Sequence, residues 1–219
     1  MMTLTEIQTR LTEAISSEKN GEILEALKAY RDIYVSAPHD QNAILGLART
    51  ALALGEIEYA FDFFVKLLIE NHQHPWGYWG RAAVYFTYDQ QERAYHEVCR
   101  ALELDSPASS LRVDCAVLLN ENGYYHKAIE ALSALSETDF DEDAEIEWCY
   151  AEIMLGEIGE RTKLFLNQRH QSENLPIWHL LYAMSLYQED KARSLTLIQD
   201  VLREEPELQY RVDAFCMGA

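Results

Sequence analysis

What this 219-residue chain lacks narrows its reading before anything it contains. Cysteine is sparse: Cys99, Cys115, Cys149 and Cys216 stand far apart, with no CxxC or CxxH spacing. Neither a zinc site nor a redox dithiol is therefore expected. Reduced, mostly buried thiols in a cytoplasmic protein are the expectation. Long apolar runs are missing too. AILGLA and ALALG are broken by Arg49 and Glu56 well short of a bilayer span. The opening stretch MMTLTEIQTRLTEAISSEKNG sets charges where a secretory signal needs a continuous apolar core. A soluble protein without membrane insertion is expected. Basic residues are few, 18 Lys+Arg against 37 Asp+Glu for a formal net charge of −19. That balance argues against nucleic acid and anionic membranes, which need a basic face. The sequence also contains no GxSxG, P-loop, GxGxxG or HExxH, so neither catalysis nor a cofactor is expected.

What is present is a repeat. Gly21, Gly55 and Gly123 fall on one 34-residue lattice, and each is followed five residues later by an alanine. Ala26, Ala60, Ala94 and Ala128 keep the step, as do the bulky Tyr30, Phe64, Val98 and Leu132 one helical turn further on. Within one period, Ile44, Leu47, Ala48 and Ala51 share a helical face, Gly55 interrupts, and Ala60, Phe61, Phe64, Leu67 and Leu68 share another. Two amphipathic helices joined by a short glycine turn make an antiparallel hairpin. One such hairpin cannot bury both of its faces, so neighbours must stack, and alanines allow the helices to approach.

These residues resemble the tetratricopeptide repeat (TPR) family, whose unit is two antiparallel helices in about 34 residues. The second-helix pattern G-x-Y-x-E-A-I-x-x-Y followed by A-L-x-x-x-P is similar to GEILEALKAYRDIYVSAP, GYYHKAIEALSAL and ERAYHEVCRALELDSP. The resemblance implies an all-α fold, a right-handed α-solenoid of stacked antiparallel helix pairs, over residues 1–208. The expected units are about 7–40, 41–74, 75–108, 109–142, 142–175 and 175–208. Residues 209–219 follow as a capping helix or the start of a longer one, with Leu208, Val212 and Phe215 on a common face. Two departures stand out. Gly156 falls one residue early, with Arg161 expected where an alanine belongs, so packing there should loosen. In the sixth unit Trp178, Leu181 and Pro206 fit, but Ser194 and Glu189 replace the small residue and the glycine.

In the resembling family the first helices line a concave groove that holds peptides. Carried over residue by residue, that face is Asn42, Leu45, Arg49 and Leu52, then Trp76, Trp79, Ala83 and Phe86, then Val113, Val117 and Asn120. Ile146, Tyr150 and His179 extend it. Trp76, Trp79 and Phe86 can share one stripe of a helix whose core side is expected to be Tyr78, Ala82 and Tyr85. Exposed aromatic side chains in a concavity are the anchors that dominate many interfaces. The two-carboxylate clamp of the family's chaperone-binding members is absent: its places hold Leu11, Ile15, Leu45 and Arg49. An extended or helical partner of mixed apolar and basic character is the expected ligand.

Other constellations read as structure. His72 and His74 in NHQHPW form a turn with no third metal ligand. Asp139, Asp141 and Asp143 alternate as at the start of a calcium loop, but Ala144 replaces its glycine and Tyr150 its final glutamate, so a solvated connector is expected. Residues 109–160 hold thirteen acidic and two basic side chains, a face that could steer a basic partner or simply aid solubility. The function expected is that of a non-catalytic interaction scaffold, adaptor or client chaperone. The alternative is the regulatory or substrate-recruiting portion of a larger enzyme, for example a glycosyltransferase, continuing beyond residue 219.

Overall fold

The computed structural model describes residues 2–104, 109–172 and 175–218. These form thirteen α-helices and, among the described residues, no strand. The chain divides into two compact units, residues 1–107 and 108–219. The first contains α1 (Leu4–Lys19), α2 (Ile23–Ser36), α3 (Gln41–Ala53), α4 (Ile57–Glu70), α5 (Pro75–Thr87) and α6 (Gln91–Glu103). The second contains α7 (Ser109–Glu121), α8 (Tyr125–Ser133), α9 (Glu142–Leu155), α10 (Glu160–Ser172), α11 (Pro176–Ser185), α12 (Lys191–Glu204), a 3-10 turn (Pro206–Leu208) and α13 (Gln209–Gly218). In each unit consecutive helices pack as hairpins, and each hairpin packs on the next. The end of the ERAYHEVCRALELDSP match, from Asp105 to Pro107, lies outside the described residues, as does the expected boundary near residue 108.

The helices begin in two ways. Several first helices carry a local stop: Thr3 and Glu6 make a reciprocal capping box on α1, Asp40 and Asp141 accept from the amides of Ala43 and Ala144, and Pro75 and Pro176 occupy first turns. Among the second helices, α2, α4, α6 and α8 instead follow a repeated C-terminal turn. The amides of Glu22, Glu56, Gln90 and Tyr124, 34 residues apart, donate to the carbonyls of Ser17, Ala51, Tyr85 and Leu119 at 2.8–2.9 Å. This six-to-one bond demands a left-handed residue just before the donor. Gly21, Gly55 and Gly123 supply it, and at the third place Asp89 does so with φ +55°. The glycine lattice therefore has no gap there. A short polar side chain tolerates the conformation that glycine favours.

Small residues set the spacing between hairpins. Ala26, Ala60, Ala94 and Ala128 are all fully buried. A second periodic pair is formed by Gly46 and Gly80, where an added Cβ would overlap the rings of Tyr30 and Phe64 respectively. Each ring is thus laid on bare backbone of the following hairpin, and the core of the first unit is built around those contacts.

The fifth hairpin departs from expectation in register. Thr162, 34 residues after Ala128, fills the small position and is fully buried, while Arg161 is turned outward. The reason is the longer turn: Gly156 ends α9 in a left-handed cap, and Glu157 to Gly159 intervene before α10. Arg161 lies 3.7 Å from the Phe140 ring centroid and 5.1 Å from that of Trp148, so it covers aromatic surface instead of entering the core. In the sixth hairpin Ser194 takes the alanine's place and is fully buried.

All four cysteines are free; Cys115 and Cys149 are buried, Cys99 is half-buried and Cys216 is exposed. No helix among the described residues is long and apolar enough to cross a membrane.

Two measurements check this description. Asp89→Val should lower stability by about 1–2 kcal/mol, because a β-branched side chain cannot hold the left-handed turn, whereas Asp89→Gly should leave the melting point unchanged or raised. Equal losses in both would refute the turn assignment. Burial pushes the Cys149 thiol up to about 12. A thiol reagent at pH 8 should therefore label Cys216 readily and Cys149 only on unfolding.

Candidate functional site

The first-helix face of the first unit carries the residues singled out from sequence. On α3, Asn42, Leu45, Arg49 and Leu52 follow one another at three- and four-residue steps, opposite the buried stripe of Ile44, Leu47, Ala48 and Ala51. Asn42 is exposed and the other three are half-buried. Leu11, Ile15 and Glu18 of α1 lie alongside, and together with Asn42, Leu45 and Arg49 they line a pocket of about 280 Å³. Ile15 remains 41% exposed, so the pocket wall offers apolar surface to solvent.

Arg49 joins this pocket to the tryptophans of α5. Its Nε donates to Glu18 Oε1 at 2.9 Å, and its guanidinium sits 5.3 Å from the ring centroid of Trp76. Trp76 meets Trp79 edge-to-face at 5.5 Å, and Trp79 in turn packs against Phe64 at 6.2 Å. Behind Glu18, the Tyr30 hydroxyl donates to Oε2 at 2.8 Å, and burial raises the Tyr30 pKa so that it stays a donor at every physiological pH. A carboxylate held from both sides keeps the guanidinium plane fixed over the indole, so the surface is organised before any ligand arrives.

Both tryptophans are half-buried: neither sealed in the core nor standing free. The expected core side of α5 is corrected in part. Ala82 is fully buried, but Tyr78 and Tyr85 are only half-buried. Tyr78 donates its hydroxyl to the His72 carbonyl at 2.8 Å, and Tyr85 leans on Phe61. The close contacts with α4 fall to Gly77 and Gly80, whose missing side chains let Leu68 and Phe64 lie against the α5 backbone, while Val84 is buried.

Several carried-over positions do not reach the surface. Ala83 and Phe86 of α5 are buried, Phe86 at 8% exposure, and in the second unit Val113 and Asn120 of α7 are buried at 6% and 2%. Tyr150 is buried as well, while Val117, Ile146 and His179 are half-buried. A residue so enclosed can shape a face but offers it little contact area. In the first unit the part of this face that reaches solvent is Asn42, Leu45, Arg49, Leu52, Trp76 and Trp79, with Leu11 and Ile15 of α1 alongside the α3 residues.

Asn120 is buried for a specific reason that sequence reading missed. Its Nδ2 donates to the backbone carbonyl and to Oε2 of Glu147 on α9, at 3.0 and 2.9 Å. Glu147 Oε1 accepts from Arg211 of α13 at 2.6 Å, and the Arg211 guanidinium lies 4.6 Å from the Tyr150 ring centroid. The available signal was a carboxylate at a core-facing helical position, between Ala144 and Tyr150, since a buried charge requires a partner.

The acidic segment is mostly engaged within the second unit. Asp141 caps α9, Glu142 accepts from the Trp178 indole at 2.9 Å, and Glu145 pairs with Arg169 at 2.8 Å. Glu152 accepts from the Trp148 indole at 3.0 Å and from the Gly159 amide at 2.7 Å. The solvated connector expected around Asp139 to Asp143 ends at Asp141, where α9 begins. Of the two loop histidines, His72 is exposed, while His74 precedes Pro75 at the start of α5 and its pKa is lowered by burial. Among the described residues no cluster of three or more metal-ligating side chains occurs.

No protein-family model and no curated protein matches this sequence. The fold, by contrast, is shared with solved structures. A tetratricopeptide repeat protein from Parabacteroides merdae is 17% identical with a TM-score of 0.62, over 99% of this chain and 85% of that one. YrrB, described as a TPR protein with an unusual peptide-binding site, is 16% identical with a TM-score of 0.56, over 86% of this chain and 98% of that one. The APC/C hetero-tetramer Cut9-Hcn1 has a chain 16% identical with a TM-score of 0.70, over 97% of this chain and 42% of that longer one. At these identities the likeness is one of fold.

The different environments of the indoles can be checked directly. Trp178 is fully buried, whereas Trp76 is half-buried. Acrylamide should quench emission lost in Trp76→Phe and spare emission lost in Trp178→Phe; the reverse order would contradict the placement.

Proposed function

We propose that this chain, an array of tetratricopeptide-type hairpins, is a non-catalytic interaction scaffold or adaptor that holds a peptide segment of a partner protein on the first-helix face of its first unit. The observation that carries the reading is the fixed aromatic and apolar surface of Trp76, Trp79 and Leu45 joined by Arg49, whose guanidinium is held by Glu18 at 2.9 Å. Rigid aromatic anchors next to a pocket give contact area at low entropic cost. The bond to Glu18 uses one of the five donors of Arg49, and a peptide carbonyl beside Asn42 would meet the others.

The partner segment is of mixed apolar and basic character: its apolar side chains would fill the pocket between α1 and α3, and its basic groups suit a chain of net charge −19. YrrB, with its peptide-binding site on the same fold, supports the general mode. The free cysteines favour the cytoplasm as its compartment.

The test is selection of a random peptide library on the full chain, followed by affinity measurement. Trp76→Ala and Arg49→Ala should each weaken the selected peptides by about tenfold or more while leaving the helical circular dichroism intact. Unchanged affinity in both variants would reject this face. Raising the salt concentration should weaken basic peptides more than apolar ones, mainly through the association rate.

A further inference from the structure

We infer that the second helices of the first unit carry a docking groove of their own, and that its occupant is an acidic amphipathic segment of a partner protein. Between α2, the turn after α3 and the start of α4 lies a pocket of about 570 Å³. It shares no residue with the first-helix face or with the pocket between α1 and α3. Leu24, Leu54 and Tyr59 line it at 65%, 39% and 46% exposure, a concentration of large apolar side chains in contact with water. The lining is fixed from behind. Leu27 packs on the core of the first unit, and the Tyr59 ring meets the buried Phe63 edge-to-face at 4.8 Å.

Charge decides what covers this groove. Lys28 and Arg31 stand one turn apart on α2, and both line the pocket. Among the described residues neither has an ion-pair or hydrogen-bond partner, although Arg10, Arg49, Arg81 and Arg100 of the same unit each meet a carboxylate. The neighbouring acids are turned elsewhere. Glu25 and Asp32 lie roughly 100° and 80° round α2 from Leu24, on the side where Asp32 pairs with Arg10 of α1. Glu58 and Asp62 lie roughly 100° and 60° round α4 from Tyr59, in the sense opposite to Phe63, whose ring meets Tyr34 of α2. Of the charged side chains that line the pocket, Lys28 and Arg31 are therefore opposed only by Glu56, at the turn end where α4 begins. The net charge of −19 is screened beyond about 8 Å at physiological salt, so the groove's own cations select the ligand. A carboxylate set between Lys28 and Arg31 gains charge-assisted hydrogen bonds, and apolar side chains of the same segment cover Leu24, Leu54 and Tyr59. Glu56 fixes the polarity, because it keeps the acidic residue on the α2 side of the groove.

The test selects a random peptide display library on the full chain carrying Trp76→Ala, which disables the first-helix face, and measures the enriched sequences as labelled synthetic peptides by fluorescence anisotropy. Peptides that set Asp or Glu beside Leu, Ile, Phe or Trp should be enriched. Lys28→Ala with Arg31→Ala should weaken them about tenfold or more, and Leu24→Asp should do the same by placing a carboxylate in the groove. All three positions are exposed, so helical circular dichroism should not change, and either variant decides alone should the other lose its fold. Lys28→Glu with Arg31→Glu should turn the selection toward basic sequences. Peptides selected on the unaltered chain that depend on Trp76 should ignore every one of these changes, which separates the failure of this groove from the failure of the first-helix face. A library left without acidic sequences, or acidic peptides whose affinity ignores Lys28, Arg31 and Leu24, overturns the proposal. Displacement of the peptides by equimolar laurate overturns it in favour of a small amphiphile. Self-association of the chain that Leu24→Asp abolishes in sedimentation overturns it in favour of a second copy.

Discussion

A two-helix hairpin has more apolar surface than its two helices can hide from water, and the rest of this structure follows from that excess. Within each unit a hairpin covers the exposed side of the one before, so the contact between neighbours must be short enough to exclude water and must recur from step to step. The fully buried alanines 26, 60, 94 and 128 leave room for that approach, and the aromatic rings of Tyr30 and Phe64 complete it between hairpins by lying on the bare backbone of Gly46 and Gly80. Bulk on one side is matched by its absence on the other, and the match repeats because the chain repeats.

Polar groups are arranged around that apolar frame by the same logic. Several charges near the core are met by a group from another helix. Tyr30 and Arg49 come to Glu18, Arg81 to Glu97, Arg169 to Glu145, and Asn120 with Arg211 to Glu147. These pairs need not add net stability, since desolvation offsets much of their attraction, but they are selective: a shifted register would leave a charge unpaired. They also give the first-helix faces fixed chemistry. In the first unit the result is a guanidinium held over an indole beside an apolar pocket. In the second it is a carboxylate enclosed under an arginine.

Much of this architecture is legible in the residue order. The 34-residue step of glycine and alanine and the alternation of apolar stripes rest on residues close together in the chain, so local rules find them. The first-helix face is legible in part, because helical spacing places Asn42, Leu45 and Arg49 on one stripe without knowledge of what covers it. Asp89 was less visible. Its left-handed turn follows from the period, yet aspartate does not look like the glycine whose place it takes.

Thus the chain's order alone determined that it would be helical, repeated and stacked, because amphipathic period and turn chemistry are short-range properties. Only the tertiary structure decided which aromatic residues stay at the surface. Trp76 and Trp79 remain half-buried while Phe86 is buried, and glycines on α5 bring its backbone against Phe64 and Leu68 of α4. It decided equally that Thr162, not Arg161, enters the core, and that Arg211 finds Glu147. Burial and pairing depend on what arrives from elsewhere in the chain, and no periodicity within a single helix carries that information.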